Sequence, residues 1–61
     1  MAAKFEVYKD GKGEYRWRLR TRNGNVIATG GEGYTTKANA LSGIKAVQRD
    51  APTADVVDDH S

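Results

Sequence analysis

Arg16, Arg18 and Arg20 recur at period two, interleaved with Tyr15, Trp17, Leu19 and Thr21. Successive side chains of a β-strand point to opposite faces, so three guanidinium groups line one side at roughly 6.5–7 Å intervals. Arg22 extends the row, and Tyr8 falls on the same side of a neighbouring strand. Basic groups beside an aromatic ring suit single-stranded nucleic acid, through phosphate contacts and base stacking. The plainer reading is a solvated face on which Glu6 and Glu14 act as partial partners. One tyrosine makes a poor stacking platform. The solvated face is therefore preferred, and nucleic-acid binding through Arg16, Arg18, Arg20 and Tyr8 stands as the alternative.

Other chemistry finds little footing. Gly30-Gly31-Glu32-Gly33 leads toward a helix start, where an anion is welcome. A phosphate-binding loop needs a lysine and a hydroxyl directly after its last glycine, and Thr36-Lys37 comes later and in reverse order. Cysteine is absent, which removes disulfides, thiolate metal sites and a cysteine nucleophile. The single histidine, His60, lies next to the C-terminus, a poor place for a ligand or a base. Glu6, Glu14 and Glu32 are the only glutamates, and a catalytic carboxylate pair would need a pocket that so short a chain has little volume to build. No catalytic residue, cofactor site or metal site is expected, and the chain reads as a non-enzyme.

The 61 residues allow one domain with one small core. Domains of this size bury only about 60% of their unfolded surface and commonly need a disulfide, a metal or a partner. Composition leaves the partner. Net charge is +2, unevenly placed: residues 1–49 carry ten bases and four acids, whereas the last twelve residues carry Asp50, Asp55, Asp58, Asp59 and no base. Such asymmetry fits either a basic ligand surface or, more plainly, an acidic tail that screens the basic part in its own chain or a partner's. There is no apolar run long enough for a membrane span and no secretory signal pattern, so a cytoplasmic protein is expected.

The elements that position these residues follow from local pattern. Lys4 to Lys9 alternates and predicts a first strand; Asp10-Gly11-Lys12-Gly13 predicts a turn; Glu14 to Thr21 is a second strand, antiparallel to the first. Around Asn23-Gly24 two registers compete. A two-residue loop pairs Leu19 with Ala28. A three-residue loop with Gly24 as a bulge pairs Leu19 with Ile27 and Trp17 with Thr29. The second is preferred because it brings the larger Ile27 onto the oily face, giving a third strand from Val26 to about Thr29. Thr35 or Thr36 can cap a helix from Lys37 to Asp50, with Ala40, Leu41, Ile44, Val47 and Ala51 on one side. Gly43 inside it costs about 1 kcal/mol against alanine, a sign that the helix closely approaches Trp17 or Tyr34. Pro52 stops the helix. Val56 and Val57 then favour an extended segment that adds to an edge of its own sheet or of a partner's.

Phe5-Glu6-Val7-Tyr8-Lys9-Asp10, Tyr15-Arg16-Trp17-Arg18-Leu19, Asn23-Gly24, Ile27-Ala28, Gly33-Tyr34, Lys37, Gly43-Ile44 through Val47, Ala51 and Val56 together make a distinctive set. In these residues the chain resembles the YegP-like family of small, uncharacterised prokaryotic domains. The resemblance runs from about Lys4 to Asp58. It implies a βββα unit followed by an extended C-terminal segment, present singly or as a tandem pair, with single modules forming homodimers. It implies no catalytic residues and no cofactor. The aspartate-rich end is a departure.

The expected architecture is therefore α+β: a three-stranded antiparallel meander, one helix packed on one face, and a short C-terminal strand. The whole chain, residues 1–61, is one domain, ordered over about residues 4–58. A two-fold homodimer is expected, with Val56, Val57 and Tyr34 at its interface. The expected function is a structural or protein-interaction module whose other protein partner, if any, is unidentified.

Overall fold

The computed structural model describes residues 3–58; Met1, Ala2 and the terminal Asp59, His60 and Ser61 lie outside the described residues. Period-two alternation produces β1 (Ala3–Lys9) and β2 (Tyr15–Thr21), antiparallel as expected. Their register puts Phe5 opposite Leu19 and Val7 opposite Trp17 on one face, and Lys4 opposite Arg20, Glu6 opposite Arg18 and Tyr8 opposite Arg16 on the other. β3 (Val26–Thr29) completes a sheet of order β1-β2-β3.

The β2–β3 loop has the expected three-residue form. The Thr21 N–H donates to the Asn25 carbonyl at 2.8 Å, the Gly24 N–H to the Thr21 carbonyl at 2.9 Å, and Gly24 takes φ +92°, a conformation that costs glycine little. The register expected beyond it is corrected. Arg20 faces Val26, but the ladder then shifts between Leu19 and Arg20, so Leu19 faces Ala28 and Arg18 faces Thr29. The cause lies at Trp17. The one-residue shift brings Gly30 beside it, with the Gly30 N–H donating to the Trp17 carbonyl at 3.0 Å. A β-carbon on Gly30 would sit 2.6 Å from the indole Nε1, so the threonine of the expected register has no room there. Ile27 consequently has no ladder partner, and it is 61% exposed instead of joining the core.

After Gly30–Gly33 the chain returns to the sheet. Tyr15 and Tyr34 exchange both backbone hydrogen bonds at 2.8 Å, extending the β3 side of β2 by one residue pair. α1 (Lys37–Asp50) starts at Thr36, whose Oγ1 accepts from the Asn39 N–H at 3.1 Å. It packs on β1 and β2 and leaves β3 uncovered. Ala40 and Ile44 are its buried residues, while Leu41, expected in the core, is 43% exposed, and Ala51 is exposed too. The expectation for Gly43 is borne out: a β-carbon there would lie 2.5 Å from the Tyr34 hydroxyl and 3.4 Å from the Trp17 Nε1. Pro52 ends the α-helix as a single 3-10 turn, Ala51–Thr53, and residues 54–58 form no strand within the protomer.

Close approach predicts unequal behaviour of neighbouring glycines. Gly30→Ala forces a rigid indole to move and should lose about 1–3 kcal/mol, as overpacked cores do. Gly31→Ala meets nothing within 4 Å and should melt within about a degree of wild type, since surface changes away from packed features are small. Thermal denaturation of the two variants side by side checks this.

Candidate functional site

The face of the sheet opposite the helix collects most of the chain's organised charge. Glu6, in the middle of β1, sits across from Arg18 with Arg20 diagonal to it. Both arginines donate Nε–H to the same oxygen, Glu6 Oε1, at 2.7 Å and 3.0 Å, and Lys4 Nζ lies 3.7 Å from Oε2. Three cations thus share one carboxylate. Arg20 Nη1 also donates to the Gly24 carbonyl at 2.8 Å, tying the cluster to the β2–β3 loop. The Arg18 guanidinium lies over the Tyr8 ring, 4.6 Å from its centroid, within cation–π range.

Arg16 is held differently. Its Nε–H donates to Asp10 Oδ2 at 3.0 Å. Asp10 Oδ1 accepts from the Lys12 and Glu14 N–H groups, each at 2.9 Å, and so organises the β1–β2 turn as well. Turn and strand chemistry meet at one aspartate. Its carboxyl is held below the ordinary carboxylate range, first by the Glu14 backbone N–H, with Arg16 and the Lys12 N–H adding to it.

The structure brings Arg16, Arg18, Arg20 and Tyr8 onto one face, as their period-two spacing implies. Glu6 is a partner as expected; Glu14 is not, and its carboxylate lies against Gly33 instead. Asp10 takes that place. Lys4 and Asp10 were missed as members of the network. Lys4 could have been found, because it shares the parity of Glu6 and Tyr8. Asp10 could not, because its reach to Arg16 depends on how the turn closes. Tyr34 lies at the seam of sheet and helix, half-buried, with its backbone paired to Tyr15. Val56 and Val57 stand 97% and 80% exposed. Among the described residues no group of three or more His, Cys, Asp or Glu side chains is arranged to hold a metal ion, and no helix is long and apolar enough to cross a membrane.

The family described as "Domain of unknown function (DUF1508)" matches residues 10–58. The chain belongs to that family. A UPF0339 protein of the bacterium Treponema denticola is 53% identical over 58 residues, covering 95% of this chain and 98% of the relative. The NMR solution structure of a protein from Haloferax volcanii superposes with a TM-score of 0.90 at 50% identity, covering 95% of this chain and 97% of that one. A UPF0339 protein in the ptx operon 5' region of Stutzerimonas stutzeri is 42% identical over 52 residues, which span 85% of this chain but 46% of the relative. The YegP-like resemblance is borne out, as is the βββα arrangement it implied.

The Glu6 carboxyl is lowered from an ordinary 4.5 to about 2, chiefly by the Arg18 hydrogen bond and then by that from Arg20. A carboxyl depressed by folding contributes stability above its unfolded value, and that contribution is lost as pH falls through the folded one. Glu6→Gln should therefore melt below wild type at neutral pH. The gap should shrink as the pH drops from 4.5 and close only below pH 2. Melting curves of both proteins across that range, at low salt, provide the check.

Proposed function

We propose that the chain acts as a non-enzymatic structural or protein-interaction module in the cytoplasm, and that its working form is a homodimer closed by exchange of C-terminal segments. One observation carries this reading: two adjacent valines, Val56 and Val57, lie past the helix at 97% and 80% exposure. Such residues favour strand geometry. The described residues of their own protomer leave them almost wholly uncovered.

The state of the core supports association. Among the described residues, only Trp17, Ala40 and Ile44 are buried apolar side chains, while Ile27 and Leu41 remain largely open. The family relative from Stutzerimonas stutzeri, of which this chain spans less than half, has room for a second module in the same polypeptide. Two separate copies of a single module can fill that place.

Magnitudes show how much surface the dimer must bury. Four valines, two from each protomer, contribute roughly 6–12 kcal/mol at about 1.5–3 each. Association costs about 4–15 kcal/mol in lost freedom. The valines alone come close to break-even, so the interface must also take in Ile27 or Leu41 and backbone pairing at a sheet edge. β1 is the better edge for that pairing. It runs seven residues against β2 without a shift, whereas β3 has four residues and an irregular ladder.

Sedimentation over a wide concentration range should give a dimer at micromolar protein. Val56→Asp combined with Val57→Asp should give monomers that melt at least several degrees lower, given about 4–8 °C per kcal/mol for a domain of this size. A wild-type protein that stays monomeric at high micromolar concentration would overturn the reading.

A further inference from the structure

The charged face of the sheet carries an inference of its own. α1 packs against the Trp17 side, and no described element covers the arginine side. Among the described residues, Lys4, Arg16, Arg18 and Arg20 on that open side meet only two carboxylates, Glu6 and Asp10. The imbalance concentrates at Glu6, where one carboxylate serves three cations and leaves a local excess of two positive charges. Mutual repulsion there is relieved by any further oxyanion.

The arginines are also set up as donors. Each is anchored through Nε. Among the described residues, the Nη groups of Arg16 and Arg18 have no hydrogen-bond partner. An anchored guanidinium has lost much of its side-chain freedom, and its Nη edge matches a phosphate bidentately. Along β2 the arginines repeat at roughly 6.5–7 Å, and Lys4 lies one strand away at about 4.8 Å. This patch suits a single extended polyanion. Arg18 already covers one face of the Tyr8 ring, so charge rather than base stacking is the main contact this patch offers.

We infer that this face binds the phosphate backbone of single-stranded nucleic acid through Lys4, Arg16, Arg18 and Arg20, by charge and without base readout, with Glu6 as an internal competitor for Arg18 and Arg20. Such contacts release counterions, and affinity falls by about 0.7 in log–log slope per phosphate on a single strand. Three phosphate contacts give a slope near −2, or roughly a twentyfold loss between about 50 and 200 mM salt.

The experiment is fluorescence anisotropy of a labelled oligothymidylate of about twelve nucleotides, within the roughly 4–16-nucleotide range of such sites. A labelled oligoglutamate peptide of equal length serves as the comparison. Wild type should bind the oligonucleotide with a Kd of about 10⁻⁴–10⁻⁶ M and the stated salt dependence. Arg18→Gln with Arg20→Gln should weaken it at least about tenfold, as loss of two phosphate contacts requires. Glu6→Gln should tighten it about threefold, the effect of removing one negative charge roughly 6 Å away in water. Tyr8→Leu should leave it within about twofold, because no base stacks there. Absence of oligonucleotide binding at low salt, by wild type and Glu6→Gln alike, overturns the proposal. So does equal or tighter binding of the oligoglutamate, which would make the face a receptor for acidic protein segments. Circular dichroism of each variant separates loss of binding from loss of fold.

Discussion

The placement of one indole ring governs this small structure. Trp17 is only 6% exposed, meets Phe5 edge-to-face at 5.6 Å, and presents its Nε1 to the backbone at both Gly30 and Gly43. No smaller residue could span from sheet to helix in so thin a domain, and no residue with a β-carbon fits at either flanking glycine without displacement. The indole N–H pays for this position by having no hydrogen-bond partner among the described residues, a loss of about 1–3 kcal/mol for a buried donor. A side chain of this size offsets that through its buried area and its contact with Phe5. The β2–β3 register, the return of the chain at Tyr34 and the closeness of α1 are all arranged around the ring.

The two faces of the sheet are held by different physics. On the helix side, burial and shape decide; on the arginine side, a ladder of charges decides. Asp10 combines a turn-forming task with a charge task and Glu6 draws three cations together, so the basic residues do not simply repel one another into solvent. Side chains about a third exposed, as Arg16 and Arg18 are, lie along the sheet, where their aliphatic stems cover apolar surface while their heads stay wet. Exposed ion pairs contribute little each. Their effect here comes from convergence, since several cations act on one carboxylate.

Much of the fold was legible in the residues. Alternation over Lys4–Lys9 and Tyr15–Thr21 defined two strands and their faces because the side-chain period of a strand is two. Thr36 and Pro52 marked the helix ends through capping and steric exclusion. Gly43 announced a tight contact, and Tyr34 and Trp17 supplied it. What stayed hidden depended on three-dimensional fit. The register at Leu19 was misjudged because hydrophobic size favoured Ile27, while the space beside the indole admitted only Gly30. Leu41 was placed in the core by helical periodicity, but α1 spans only β1 and β2, so part of its apolar stripe overhangs. Among the charged residues, spacing revealed who shares a face, whereas the Asp10–Arg16 pair required the turn to be closed first.

The irregular margin of β3 has a consequence for behaviour in a crowded solution. Four residues, a slipped ladder at Ile27 and the detour through Gly30–Gly33 deny an incoming chain a continuous row of backbone donors and acceptors on that side. Sheets with two clean borders can recruit copy after copy into fibres. This one has a single clean border, so lateral growth is opposed on the other side by the same misfit that makes room for its tryptophan.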